Sequence, residues 1–194
     1  MRKLLLIFLS VILTFSLCSC NDENSDNPET TTTTELIVAK SLTLGYYKDG
    51  DPKTITDYDL KQLLEYDEIH NLVLANYVGT DLSILTQFNG MKSLKLMSME
   101  NLTDLNFLTS LTELKSLTIY DLSDEFTDIG VLSKLDWLET LRINNICVED
   151  FSPLYSLRKL RSLDLTSTAI TQSQYDALVA ALPECEIKNV TIYQ

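Results

Sequence analysis

Apolar residues recur along this chain at fixed offsets from an aspartate. Counting from Asp81, they stand at Leu82, Ile84, Leu85, Phe88, Met91, Leu94 and Leu96. The template starts again at Asp104 (Leu105, Phe107, Leu108, Leu111, Leu114, Leu117, Ile119) and at Asp128 (Ile129, Val131, Leu132, Leu135, Leu138, Leu141, Ile143). A further copy begins at Asp150, with Phe151, Pro153, Leu154, Leu157, Leu160, Leu163 and Leu165. Of the 28 template positions 27 are apolar, Pro153 being the exception, whereas a 45% hydrophobic composition gives about 13. Self-similarity of this strength marks a repeat architecture. Looser copies flank these: Asp59 leads Leu60, Leu63, Tyr66, Ile69, Leu72 and Leu74 with Gln62 as a misfit, and Gln174 leads Tyr175, Ala177, Leu178 and Ala181.

Each copy contains two kinds of local pattern. The Leu-x-Leu or Leu-x-Ile pair has period two, so both residues face one side of a strand. It recurs at Leu42/Leu44, Leu72/Leu74, Leu94/Leu96, Leu117/Ile119, Leu141/Ile143 and Leu163/Leu165. The stretch before it is apolar every third residue, as in Leu85, Phe88, Met91 and Leu94, which suits short 3₁₀ turns. The aspartate precedes the first strand leucine by 13 residues in each of the four strict copies, yet repeat lengths run 22, 23, 24 and 22. All the slack lies between strand and next aspartate, where the gaps are 9, 10, 11 and 9. This is the arrangement of a solenoid whose strands and back wall must stack while one connection is free to bulge.

The pattern resembles the leucine-rich repeat, in the internalin-like class of about 22 residues per repeat. The resemblance covers about residues 40–190. It implies an α/β right-handed solenoid: a short curved parallel sheet, a 3₁₀ or helical back wall, and helical caps at both ends. One departure stands out. The family's asparagine, which bonds backbone in the next coil, falls three residues after the second strand leucine, and here those positions hold Tyr77, Met99, Leu122, Ile146 and Thr168. Either apolar filling replaces polar stitching, or the register slips by one, since Asn76 and Asn145 lie adjacent. For the caps, Thr56-Asp57-Tyr58-Asp59 is expected to open a segment with Leu60, Leu63 and Leu64 on its inner face. Thr171-Gln172-Ser173-Gln174 reads as a capping box for a helix with Tyr175, Leu178, Val179 and Leu182 inward, stopped near Pro183. A last strand around residues 186–193 closes the sheet in this reading, and the atypical ends suggest a complete domain.

The N-terminal residues look like an address. Arg2 and Lys3 precede a mostly apolar stretch from Leu4 to Leu17, the proportions of a secretory signal. The stretch is short for a spanning helix, which needs about 20 residues. Leu17-Cys18-Ser19-Cys20 resembles the bacterial lipobox, which implies a signal peptide over 1–19 and acylation at Cys20; an ordinary secretory signal with two incidental cysteines is the plainer alternative. Asn21-Asp22-Glu23 is similar to the acidic export tags of surface lipoproteins. Residues 20–35, with the run Thr30–Thr34 and no aliphatic side chain, are expected to form a disordered tether. At about 15 residues its mean reach is roughly 20 Å. The repeat domain then spans 36–194.

The formal charge of −13 becomes −15 without residues 1–19, which carry Arg2 and Lys3 and no acid. Such a surface repels nucleic acid and anionic headgroups, so neither is an expected partner. No catalytic or metal constellation is legible. The aspartates 81, 104, 128 and 150 are expected to cap helical turns. His70, the single histidine, has no nucleophile or ligand set placed beside it, and no glycine-rich phosphate loop exists. Cys147 and Cys185 fall at non-equivalent points nearly two coils apart and are expected to be unpaired and largely buried.

The remaining candidate is the concave sheet face, whose side chains alternate with the inward leucines. Tyr46, Val73, Met97 and Tyr120 lie there as a patch beside Lys95 and Arg142, residue types partly enriched at interface centres. The reading is a monomeric, lipid-anchored, exported module, at the cell surface or facing the periplasm. It binds a protein or glycan through this face, with no cofactor and no catalysis. The alternative is a structural subunit of an envelope complex that uses rim or convex contacts.

Overall fold

The computed structural model describes residues 38–45, 53–123 and 126–193. The strands are β1 (Val38–Ala39), β2 (Leu42–Leu44), β3 (Glu68–Ile69), β4 (Asn71–Ala75), β5 (Ser93–Met99), β6 (Ser116–Leu122), β7 (Thr140–Asn144), β8 (Ser162–Asp164), β9 (Ala169–Thr171), β10 (Glu186–Lys188) and β11 (Thr191–Tyr193). Seven of them form one parallel sheet in the order β10-β8-β7-β6-β5-β4-β2, while β1 pairs β3 and β11 pairs β9 in small parallel sheets beside it. Parallel strands with a short helical return in every coil make this a leucine-rich-repeat solenoid. Among the described residues no helix is long and apolar enough to cross a membrane.

The register follows from the period-two leucines. Leu42, Leu72, Leu94, Leu117, Leu141, Leu163 and Ile187 stand side by side across the sheet. All but Ile187 are fully buried, as are Leu74, Leu96, Ile119 and Ile143. A slip of one residue turns each strand's leucines out to solvent, so burial on one face fixes the pairing.

The back wall explains the spacing of three. In one coil Leu85, Phe88 and Met91 donate in turn to the carbonyls of Leu82, Leu85 and Phe88 at 2.9–3.0 Å. Each bond spans three residues, so one side chain per turn points inward. The 3₁₀ segments Ser83–Gln87, Asn106–Ser110, Gly130–Lys134 and Ser152–Ser156 repeat this, with Leu85, Leu108, Leu132 and Leu154 at its centre. The aspartates act at the start of these segments. Asp81, Asp104, Asp128 and Asp150 accept from the backbone N–H two residues on, at 2.6–2.8 Å. The bonds from the Ser152 backbone and hydroxyl hold the Asp150 carboxyl below its ordinary pKa.

At or next to the C-terminal end of strands β4 to β7 and β10, and on the turn after β8, the chain passes through left-handed backbone. Asn76, Ser98, Asp121, Asn145, Ser167 and Asn189 have φ between 51° and 56°. The first five lie one residue before Tyr77, Met99, Leu122, Ile146 and Thr168, all buried, and Asn189 lies one before the partly buried Val190. Both readings of the departing asparagine therefore hold in part: the family position is filled mainly by apolar side chains, and polar stitching runs through the residue before it. Asn76 Nδ2 donates to the Gly45 carbonyl at 2.8 Å, and Asn145 Nδ2 to Asp121 Oδ1 at 2.9 Å. Two of the filling residues keep a polar bond of their own. Thr168 Oγ1 donates to the Ile143 carbonyl at 3.1 Å, and Tyr77 Oη to Asp57 Oδ1 at 2.6 Å. Burial, then the bond to Asp57, pushes the Tyr77 hydroxyl pKa up.

An L-residue with a β-carbon is disfavoured in this backbone by roughly 1–2 kcal/mol, least for Asn and Asp. Asn145→Ala removes that tolerance together with the bond to Asp121. It is expected to lower stability by about 1–2 kcal/mol in urea unfolding, and Asn145→Gly by clearly less. Equal losses in the two variants contradict the role given to the backbone.

Both caps differ in detail from expectation. α1 (Asp57–Leu60) is a single turn that passes into 3₁₀ helix over Lys61–Glu65. The inward line is then Leu60 and Leu63, three apart, and Leu64 is 54% exposed instead of facing in. α2 (Gln172–Ala181) has the predicted box: Gln174 N–H donates to Thr171 Oγ1 at 3.2 Å, and Thr171 N–H to Gln174 Oε1 at 2.8 Å. Its inner face carries Leu178, with Leu182 just beyond the last turn. Val179 is 44% exposed, one residue and therefore about 100° round the helix from Leu178. The final segment divides: β10 closes the main sheet, but β11 pairs with β9 outside it. Cys147 and Cys185 are both free, and Cys147 is exposed where burial was expected, because it follows the buried Ile146 on the turn out of β7.

Candidate functional site

The face opposite the core is concave in this architecture and carries two columns of side chains set by strand register. The first runs Thr43, Val73, Lys95, Thr118, Arg142, Asp164 and Lys188. The second runs Ala75, Met97, Tyr120 and Asn144. Neighbours in a column are about 4.8 Å apart. Lys95 and Arg142 are thus separated by Thr118 and roughly 10 Å, with Met97 and Tyr120 alongside.

Five of the six residues expected at this face are described, and the register places them on four adjacent strands, β4 to β7. Val73 and Met97 are half-buried. Lys95 and Arg142 are exposed, and Tyr120 is 39% exposed. Tyr46 lies outside the described residues, as do Cys20, the signal stretch 1–19 and the tether 20–35. Tyr120 has a particular standing. The other large apolar side chains exposed among the described residues are Tyr58, Leu64 and Val78 near the N-terminal cap, and Val179, Ile192 and Tyr193 at the C-terminal one. Between the caps, Tyr120 is the one large ring among the described residues that is exposed, Trp137 and Tyr155 being partly buried against the core.

The two cations are not equivalent. Arg142 Nε lies 3.9 Å from Asp164 Oδ2, its neighbour in the column. Asp164 also accepts from Thr166 N–H, Thr166 Oγ1 and Asn189 Nδ2, at 3.1, 2.6 and 3.0 Å. Partial burial acts to raise the Asp164 pKa, but these bonds and the Arg142 charge outweigh it, so the carboxyl titrates below its ordinary value. Lys95 has no carboxylate within ion-pair distance among the described residues. Beside Tyr120, Asn144 Oδ1 is buried with no hydrogen-bond partner among them. Thr118, Asn144 and Asp164 therefore belong with the candidate patch. The interval of 22 from Arg142 to Asp164, one coil, is the signal that reveals the ion pair in advance.

His70 sits at the rim, its Nε2 3.2 Å from Glu68 Oε2. Among the described residues no group of His, Cys, Asp or Glu is arranged to hold a metal ion.

Stacked parallel coils that bury one face of their strands define the chain as a leucine-rich-repeat protein by fold. No family model matches it, and no curated protein sequence does. The likeness is to solved bacterial structures. Internalin C2 of Listeria monocytogenes superposes with a TM-score of 0.57 at 23% identity, over 78% of this chain and 73% of that one. A leucine-rich-repeat protein of Leptospira interrogans gives 0.54 at 18% identity, over 77% of this chain and 37% of that one.

Proposed function

We propose that the chain is an exported binding module, lipid-anchored through Cys20, that recognises a protein or glycan partner with its concave face. The observation that carries this reading is the position of Tyr120, the one large ring exposed between the caps among the described residues. It stands in register with Met97 and beside Lys95 and Arg142. The backbone beneath these residues is locked by buried leucines on the opposite face, so little ordering entropy is lost on binding. An aromatic ring on a rigid strand, flanked by cations on an acidic protein, has the make-up of an interface anchor.

Truncating such an anchor typically costs about 2 kcal/mol, or roughly thirtyfold in Kd. Tyr120→Ala is therefore expected to reduce recovery of the partner in pull-downs from envelope extracts, with an unchanged melting curve. Arg142→Ala should act more weakly, because Asp164 already takes part of its charge. Undiminished recovery in the double variant sends the contact elsewhere. The second reading, a structural subunit of an envelope complex with rim or convex contacts, is favoured by Leu64 and Val179, exposed on the helical segments of the two caps. It predicts loss of recovery on changing Leu64 or Val179 instead.

A further inference from the structure

The C-terminal edge of the main sheet carries a sequence that is complementary to itself. β10 is the outermost strand, paired on one side with β8. Glu186 N–H donates to the Arg161 carbonyl at 2.9 Å, and the Lys188 carbonyl accepts from Leu165 N–H at 3.1 Å. The N–H and C=O of one strand residue share a side, and successive residues alternate. The backbone groups of Ile187 therefore point to the outer edge, where no strand pairs with them among the described residues. The Ile187 side chain packs against the core in register with Leu163, so Glu186 and Lys188 emerge on the concave side, where they pair at 2.8 Å.

The geometry points to a twofold dimer in which β10 of one copy lies antiparallel to β10 of a second. With the axis at Ile187, the two Ile187 residues exchange a pair of backbone hydrogen bonds. The flanking positions are then the close, non-hydrogen-bonded kind, with Cα atoms about 4.5 Å apart. Glu186 faces Lys188 of the second copy, and Lys188 faces its Glu186, giving two cross-strand ion pairs. Charged side chains on an edge normally deter pairing with arbitrary strands. Here the order of charges deters other edges and suits its own.

The competing arrangement stacks copies head to tail, β10 against β2. That strand is Leu42-Thr43-Leu44, with nothing to answer either charge, and the contact repeats without closing. The twofold arrangement closes. It also lies beside the exposed Val179, Ile192 and Tyr193, on α2 and the β11 strand packed against it. The product joins two seven-stranded sheets edge to edge and sets two concave faces in one surface. This goes beyond the binding reading and does not depend on it.

Sedimentation velocity of the full chain in mild detergent, over a wide concentration range, tests the dimer. The wild type is expected to move reversibly to twice the mass of one chain. Glu186→Lys and Lys188→Glu each set like charges opposite one another at both pairs, and should weaken self-association roughly tenfold or more. The double swap E186K/K188E restores opposite charges and should restore the dimer. Both side chains are exposed, so at concentrations low enough for every variant to be monomeric the four melting curves should lie close together. A wild type that stays monomeric, open-ended growth with concentration, or single swaps that dimerise as the wild type does would each overturn the proposal. So would a double swap that stays monomeric.

Discussion

Leu117→Ala is expected to lower the free energy of unfolding by about 3–4 kcal/mol. Leu117 lies on β6, in the middle of the sheet, with no exposed surface and with Leu94 and Leu141 in register on either side. The loss includes the transfer of the missing methyls and the cavity left behind. That cavity has little means of collapsing, because both neighbours are pinned by their own strand pairs. For a domain of this size each kcal/mol moves the midpoint by about 2–4 °C, so thermal melting should fall by roughly 6–16 °C. The equivalent truncation at Leu42 is expected to cost clearly less. Leu42 lies on β2, which pairs on one side only and can relax. Urea unfolding of the two variants gives the comparison. A loss below about 1 kcal/mol at Leu117 is incompatible with its place in the stack.

Gly45→Ala is the second large effect. Gly45 has φ +79°, and a β-carbon there would meet the Ala75 carbonyl oxygen at 1.9 Å and Ile55 Cγ1 at 2.7 Å. The obstacle at 1.9 Å is backbone, held in β4 by the pairing of Ala75 with Met97. It cannot swing aside as a side chain does. The same turn accepts the bond from Asn76 Nδ2. Left-handed strain of about 1–2 kcal/mol adds to overpacking of about 1–3, for an expected loss near 3 kcal/mol. Because β2 is terminal, the first sign should be faster hydrogen exchange at Leu42 and Leu44. Gly90→Ala is the control: nothing lies within 4 Å of a β-carbon there, so it should be close to neutral. Matching exchange at β2 in wild type and Gly45→Ala rules out the turn as described.

The stacked strands and the 3₁₀ wall were legible because each rests on a repeated residue identity, leucine at period two and at period three. The left-handed column was not, because what repeats there is a conformation. Asn, Ser and Asp all occupy it, and no single residue type holds every copy. The stitching of Asn145 to Asp121 was missed for that reason, although Asn145 was singled out as adjacent to the family position. Leu64 turns out to solvent because a 3₁₀ segment buries every third residue, not the fourth, and Val179 because the inner stripe of α2 through Leu178 does not reach a neighbour about 100° round the helix. On the concave face, alternation alone assigned Val73, Lys95, Met97, Tyr120 and Arg142 to the outer side. It said nothing of which cation is occupied. Strand register supplies that, since it sets Arg142 opposite Asp164 and leaves Lys95 between Val73 and Thr118.

The even spacing of strand partners bears on how the chain reaches this state. In the main sheet each pairing joins residues 22 to 30 positions apart, such as Leu72 with Leu94 and Leu42 with Leu72. Sheet proteins usually fold slowly because partners are distant and long loops must close first. Here every closure is short and similar in entropy. Once any two adjacent coils have docked, each further coil adds at a ready surface. The kinetics should therefore lie between those of helical bundles and of sheet sandwiches, with propagation outward from an interior pair and the ends joining last.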